Sequence, residues 1–438
     1  MNDVTAAQQR VSTEESSSHG KVLVASIIGS VVEWYDFLVY GTASALVFNK
    51  IFFPSFIPEV GILIAFGAYA VGFVSRPLGG AIFGHFGDRI GRKTMLSLTL
   101  VIMGMGTFAI GCLPTYHDIG ILSPILLVSL RFVQGLGMGG EWGGSILLAV
   151  EHAPKKGRGL FGSLVQLGYP IGVITSVGSF SLLTSLVTNE QLIAWAWRIP
   201  FLASIVLVGV GLFIRMRVAE TPAFQNVKHH SNVARVPLLE VLTKHRRSFL
   251  IAVGVKLSEI SWVTVITIFG ISYVTGHLAM SKSVVLNGVM LGACAQLVTV
   301  PLFGALSDRF GRRTLFVIGC LLVIACAFPL FALLDTRSPA IAVLAIAFAI
   351  GVVHAVMFAP EAAWIAELFP ARLRYSGASL GFQLGGALSG GFAPLAAAAL
   401  LTAAGGHTWG VSSLLIGIAL CTLWATLAAP ETAGREVD

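Results

Sequence analysis

The chain carries GHFGDRIGRK at residues 84–93 and GALSDRFGRR at residues 304–313, two copies of one string, GxxxDRxGR[RK], set 220 residues apart. A second signal repeats at nearly the same offset. Glu151 is followed seven residues on by Arg158, and Glu367 is followed seven residues on by Arg374, each 216 residues after its counterpart. Two signals sharing one offset mean that a single unit has been duplicated head to tail. Each half must then hold the same elements in the same order.

Composition says what those elements are. Of 438 residues, 55% are hydrophobic and only 11% charged, and the mean hydropathy is +0.85. Soluble domains carry about a quarter charged residues, so a soluble protein is excluded. A helix crossing a bilayer takes about 20 mostly apolar residues. Apolar runs bounded by charges, Pro and Gly fall at 22–48, 60–83, 95–113, 121–150, 161–187, 195–216, 248–275, 283–306, 314–334, 340–366, 376–403 and 409–428. The expected fold is all-α and integral to the membrane, with twelve transmembrane helices in two six-helix repeats. The chain divides into a tail 1–21, a first half 22–216, a linker 217–247, a second half 248–428 and a tail 429–438. The first tail is Ser/Glu/Gln-rich with no apolar run, so it reads as a disordered end and no cleavable signal peptide is expected.

The net charge of +7 points to basic loops on one leaflet rather than to nucleic acid. Twenty-one of the 28 Lys and Arg lie on the tails and on the loops after spans 2, 4, 6, 8 and 10, with Arg215 counted at the flank of the linker. The opposite loops hold only Lys50, Arg198, Lys282 and Arg337. The positive-inside rule therefore places both termini in the cytoplasm. A miscounted span would destroy this asymmetry. Cys112, Cys294, Cys320, Cys326 and Cys421 sit in or beside apolar runs with no CxxC pair, so neither a disulfide framework nor a zinc site is expected.

The repeated loop has a physical use. Gly84 lets helices approach closely, and Asp88 can cap the following helix or meet its positive N-terminal dipole. Arg89, Arg92 and Lys93 can pair with Glu151, and the second copy, Asp308, Arg309 and Arg312, with Glu367. Together with Arg158 and Arg374 they form a cytoplasmic ion-pair cluster that closes one face and breaks when that face opens. Gly135, Gly137 and Gly140 make a formal GxGxxG inside an apolar span. With no strand before it, the pattern is a helix-packing surface, not a nucleotide loop. There is no GxxxxGK[ST], HExxH or GxSxG, so neither ATP drive nor an enzyme is indicated, and no cofactor or metal is expected.

Ionisable residues inside spans each cost several kcal/mol unless paired or wetted. The candidates are Glu33, Asp36, Arg131, Glu141, Lys256, Glu259, His354 and Glu361. Glu33 and Asp36 are three apart and share a helix face, as do Lys256 and Glu259. Glu33 lies 11 residues past Val22 and Glu259 lies 11 past Ser248, so the two halves present carboxylates at matching depth. His354 can relay protons, with Glu361 two turns further on the same face. Glu141, after the glycine run, is expected in the central cavity. Duplicated parallel halves are the plan of transporters whose site lies between them near the midplane.

The segments EWYDFLVYG at 33–41, RPLGG at 76–80, RFVQG at 131–135, GGEWGG at 139–144 and WRIPF at 197–201, with the loop strings, resemble the metabolite:proton symporters of the major facilitator superfamily. The likeness runs from residue 21 to near the end. It implies the major facilitator fold, with a pseudo-twofold axis along the membrane normal and spans 1, 4, 7 and 10 around a central cavity. It also implies that Arg131 faces an acid of span 1, here Asp36, in an ion pair that protonation releases. The implied activity is proton-coupled import of a small organic acid or related polar metabolite by a monomer in the inner (plasma) membrane. Arg131 and Lys256 would supply charge for a carboxylate. An efflux antiporter is the alternative, but its glycine–proline motif is interrupted by a tyrosine in GYPIG at 168–172. A transporter-like nutrient sensor is a further one, and it should carry a soluble extension.

Overall fold

In lipid there is no hydrophobic drive between helices, so apolar side chains cover the outside and close backbone contact holds the inside. The computed structural model describes residues 2–53, 58–154, 156–216 and 236–435. Eleven of its helices are long and apolar enough to cross a membrane: Val22–Phe48, Arg92–Cys112, Leu122–His152, Arg158–Leu186, Arg198–Met216, Arg246–His277, Lys282–Phe310, Arg312–Asp335, Pro339–Glu367, Ala371–Ala403 and Trp409–Ala428. A further helix, Pro58–Ile90, stands second in the order. Spans 1 to 12 below follow this order, which is the one expected from the sequence. Val74, Leu78, Ile82, Phe86 and Ile90 of span 2 are exposed. Their spacing of four puts them on one helix face, which is the lipid face. The glycines of span 4 do the opposite work. A Cβ on Gly137 would come within 2.7 Å of Met103 in span 3, so the glycine run is a packing seam.

The ends differ from expectation. Span 1 continues back as one helix, Asn2–Ala43, through the tail expected to be irregular. Ala, Gln, Arg and Glu are adequate helix formers in water, so polarity marks the exit from the bilayer and not the end of the helix. Arg217, Lys228 and Arg235 of the linker lie outside the described residues. Beyond them Pro237–Lys244 forms a short helix with Pro at its start, tied down by a Glu240–Arg372 ion pair of 2.6 Å.

The halves meet where span 2 packs on span 11 and span 5 on spans 8 and 10. At one end the duplicated strings clasp them together, and the clasp is made twice. Asp88, at the end of span 2, accepts from the Tyr375 backbone N–H at 3.2 Å and from the Ser376 N–H and hydroxyl at 2.8 Å, at the start of the α-helical part of span 11. Asp308, at the end of span 8, accepts from the N–H groups of Gly159 and Leu160 at 2.9 Å, at the start of span 5. Each carboxylate therefore meets the positive end of a helix in the other half, not the helix that follows it in the chain. That following helix starts from Gly91 or Gly311, with φ of 134° and 98°, a left-handed conformation that favours glycine. Close approach fixes the other motif glycines: a Cβ on Gly84 would sit 2.8 Å from Ser376 Cα, and one on Gly304 would sit 2.9 Å from the Gly159 carbonyl.

Ion pairs surround the clasp. Arg92 pairs with Glu151, and Arg374 reaches Glu151 from the other half at 2.8 Å. Arg312 lies 2.8 Å from Asp308 and 3.4 Å from Glu367. Arg89 and Arg309 point away and are exposed, beside His85 and Phe310. Arg158 donates to the Arg435 carbonyl at 3.3 Å, a contact of the C-terminal tail that the sequence did not suggest. In that tail Glu431 accepts from the N–H groups of Arg312 and Arg313 at 3.0 Å, giving span 9 the cap that Gly311 cannot supply. Thr432 donates to Glu367 at 2.5 Å.

One expected cavity residue is used inside the first half. Glu141 pairs with Arg215 and accepts from Thr99 at 2.7 Å and Ser145 at 2.8 Å. Arg215, counted by sequence among the linker charges, also donates to the Leu96 carbonyl at 2.6 Å and is buried. This knot joins spans 3, 4 and 6, and Glu141 is enclosed in it rather than exposed to a cavity. Glu141→Gln strands the buried guanidinium, a loss of about 3 kcal/mol or more, and should lower the thermal midpoint in detergent by several degrees; an unchanged midpoint contradicts the assignment. Asp88→Asn should leave insertion intact. In a background without native cysteines, it should speed alkylation of a cysteine at Ala378 roughly fivefold, the factor set by about 1 kcal/mol of helix-terminus charge. An unchanged rate means that the carboxylate does not hold the clasp.

Candidate substrate and proton site

Midway along the helices, ionisable side chains gather on both sides of the seam between the halves. Glu33 and Glu259 are both buried in protein, at 3% and 1% exposure, so neither faces lipid. In the first half Asp36 is buried, with the Thr107 hydroxyl of span 3 beside its carboxylate and no cation hydrogen-bonded to either oxygen. The Arg131 guanidinium lies over the Tyr40 ring at 3.9 Å and the Phe37 ring at 5.3 Å and donates to Gln134 at 3.3 Å. It is near enough to act electrostatically on Asp36, but the hydrogen-bonded pair implied by the family likeness is open in this conformation. One oxygen of Glu33 is without a partner, within the fields of Glu141, Arg76, Arg215 and Lys256. Arg76 stacks on Phe37 at 4.2 Å and Phe73 at 4.5 Å. Sequence reasoning left it off the candidate list although its place within span 2 was signal enough.

In the second half the expected residues are brought together. Lys256 pairs with Glu259 one turn on and with Glu361 of span 10 at 3.2 Å. Its ammonium lies 3.9 Å from the centre of the Phe382 ring. His354 Nε2 is 2.5 Å from the second oxygen of Glu259, and His354 Nδ1 is 2.7 Å from Gln296 Nε2 of span 8. Span 10 is locally a π-helix over Ala349–His354. Such a bulge frees carbonyls from the regular ladder and recurs at functional sites. Here Ala349, Ile350 and Gly351 accept from Trp262, Gln296 and Thr299 at 2.8, 2.9 and 2.6 Å. Gln296 escaped the sequence reading because only ionisable residues were sought; an amide in an apolar span carries the same signal more weakly.

Aromatic rings join the two clusters across the seam. Trp34 of span 1 meets Tyr169 of span 5 edge-on at 4.9 Å, and Tyr169 meets His354 and Phe358 of span 10, both at 5.7 Å. Trp142 of span 4 stacks on Phe382 of span 11 at 3.5 Å. The other span aromatics hold structure: Tyr35 donates to the Pro200 carbonyl at 2.8 Å and Trp364 to that of Pro430 at 3.2 Å. Among the described residues no group of three or more His, Cys, Asp or Glu side chains could hold a metal ion. The arrangement offers fixed cations, carboxylates with unused oxygens and π surfaces, which is chemistry suited to binding an anion and moving protons.

Comparison with known proteins identifies the family. Residues 21–244 match the family model for sugar (and other) transporters, and residues 251–437 match that of the major facilitator superfamily. The chain is 42% identical to the shikimate transporter of Escherichia coli over 415 residues, 94% of each chain. It is 33% identical to the proline/betaine transporter of Salmonella typhimurium over 435 residues, 95% of this chain and 84% of that one. Among solved structures, the proton:xylose symporter XylE bound to 6-bromo-6-deoxy-D-glucose superposes with a TM-score of 0.75 at 19% identity, covering 97% of this chain and 98% of that one. The fold is therefore the twelve-helix fold in two repeats that the duplicated strings imply. The chain belongs to the major facilitator superfamily, among its metabolite:proton symporters, and is a membrane transporter rather than an enzyme.

Proposed function

We propose that this transporter is a proton-coupled importer of small organic acids, working by alternating access in the inner membrane with both termini in the cytoplasm. The basic loops support a cytoplasmic position for the clasped face. On that reading the transporter is closed toward the cell interior, and opening of both Asp clasps releases substrate inward. The observation that carries the coupling is the state of Asp36: buried, beside the Thr107 hydroxyl but with no cation hydrogen-bonded to either oxygen, and next to an arginine engaged with Tyr40 and Gln134. A buried carboxylate without a charged partner is costly, and a proton is the smallest group that relieves it. In the alternate state Asp36, having given up the proton, closes on Arg131, whose charge is permanent. The proton is thereby exchanged for an ion pair once per cycle.

Relatives that transport shikimate and proline/betaine by name support a small polar substrate, and Lys256 supports a carboxylate among them. Asp36→Asn should abolish uphill accumulation while weakening equilibrium binding by less than about tenfold, or 1.4 kcal/mol, because Asn keeps the shape but cannot carry a proton or match Arg131. Glu33→Gln is the comparison. Uptake of labelled carboxylates into vesicles, with and without a protonophore, separates them. Accumulation that survives the protonophore and follows sodium contradicts proton coupling; loss confined to Glu33→Gln moves the proton from Asp36 to Glu33.

A further inference from the structure

The two carboxylates on Lys256 are not held alike. Glu259 has a donor on each oxygen, Lys256 on one and His354 Nε2 on the other at 2.5 Å. The histidine's role is set one shell further out. Gln296 Nε2 lies 2.9 Å from the Ile350 carbonyl, which only accepts, so this atom is the amide nitrogen and its second hydrogen is directed to His354 Nδ1 at 2.7 Å. Nδ1 therefore accepts, the ring proton is on Nε2, and His354 is a neutral donor to Glu259. Glu361 contrasts with this. It touches Lys256 through Oε2 at 3.2 Å, while Oε1 is buried with no partner in a residue of 0% exposure.

We propose that Glu361 is the resident ligand that a substrate carboxylate displaces from Lys256, and that Glu361 takes up one proton as it is displaced. The inference rests on the carboxylate reading above and adds where the anion binds and how its charge is balanced. Before binding, the cluster holds Lys256 positive with Glu259 and Glu361 negative. After binding, the substrate carboxylate occupies the place of Glu361, the proton from the substrate's own compartment is on Glu361, and the net charge is unchanged. No bond other than O–H forms, and the proton leaves with the substrate. Leaving Glu361 ionised would strand a buried carboxylate, so anion entry and proton entry are obligatorily linked. The other titratable groups facing this cluster are Glu259 and His354, already paired, and from the first half Glu33 and Tyr169. With Asp36 carrying its own proton, a monocarboxylate enters with two protons and uptake is electrogenic.

The test uses the full-length protein in lipid nanodiscs and three labelled probes, shikimate, 2-oxoglutarate and proline. Proton uptake on binding is measured by titration calorimetry in buffers of different ionisation enthalpy. Wild type should bind at least one carboxylate with about one proton taken up per anion, and its affinity should fall up to tenfold per pH unit on the alkaline side. Glu361→Gln should keep binding, take up no proton and lose the pH slope. Lys256→Gln should lose affinity at every pH, and Lys256→Arg, which keeps the charge, should recover part of it. Monodispersity on size exclusion separates these outcomes from misfolding. Proton uptake that persists in Glu361→Gln but vanishes in Asp36→Asn overturns this inference and leaves the proposed function standing. Carboxylate affinity unchanged in Lys256→Gln overturns it as well. Failure of wild type to bind any of the three probes removes the organic-acid reading itself.

Discussion

An aspartate of each half seated on a helix start in the other half is the interaction on which the rest of the structure depends. The Asp88 and Asp308 contacts are made at pseudo-equivalent places, to Tyr375 and Ser376 on one side and to Gly159 and Leu160 on the other. Everything near them serves that contact. Gly84 and Gly304 remove the Cβ atoms that would hold the helices apart, and Gly91 and Gly311 turn the chain with positive φ. Arg92 and Arg374 share Glu151 from opposite halves. Each contact is a few hydrogen bonds to orphan N–H groups, which suits the proposed role of a clasp that closes a face and can release it.

Burial of charge explains the interior in the same terms. Charges in the hydrocarbon region persist when paired or when function keeps them. Both oxygens of Glu141 are engaged, by Arg215, Thr99 and Ser145, and Arg215 also donates to the Leu96 carbonyl, so this knot holds the first half together. Asp36, Glu33 and Glu361 each retain a buried oxygen without a partner. That difference separates a structural acid from an acid free to change its protonation or its ligand, and it is visible only once the partners are placed.

The architecture was legible because duplication, hydropathy and loop charge are one-dimensional signals. They give the spans, the repeat and the list of intramembrane ionisable residues. The clustering of Lys256, Glu259, His354 and Glu361 was legible in part, since spacings of three and seven put residues on one face. Partnership across the halves was not. The sequence offers Asp88 the helix that follows it, whereas the folded chain offers one that begins nearly 290 residues later. Arg215 reads as a linker charge until its side chain is seen to turn inward to Glu141. Gln296 is tied to the π-helical segment of span 10, which no hydropathy pattern reports. Glu431 is a tail residue whose capping role depends on Gly311 leaving span 9 uncapped.

Spin-label distances across the clasped face test the account most directly. Labels at Arg89 and Arg309, both exposed and one in each half, should give a single short population by double electron–electron resonance in nanodiscs. Replacing Asp88 and Asp308 together by Asn should add a second, longer population while monodispersity is kept. A distance distribution identical to that of the unsubstituted protein would contradict the claim that these two carboxylates hold the halves closed.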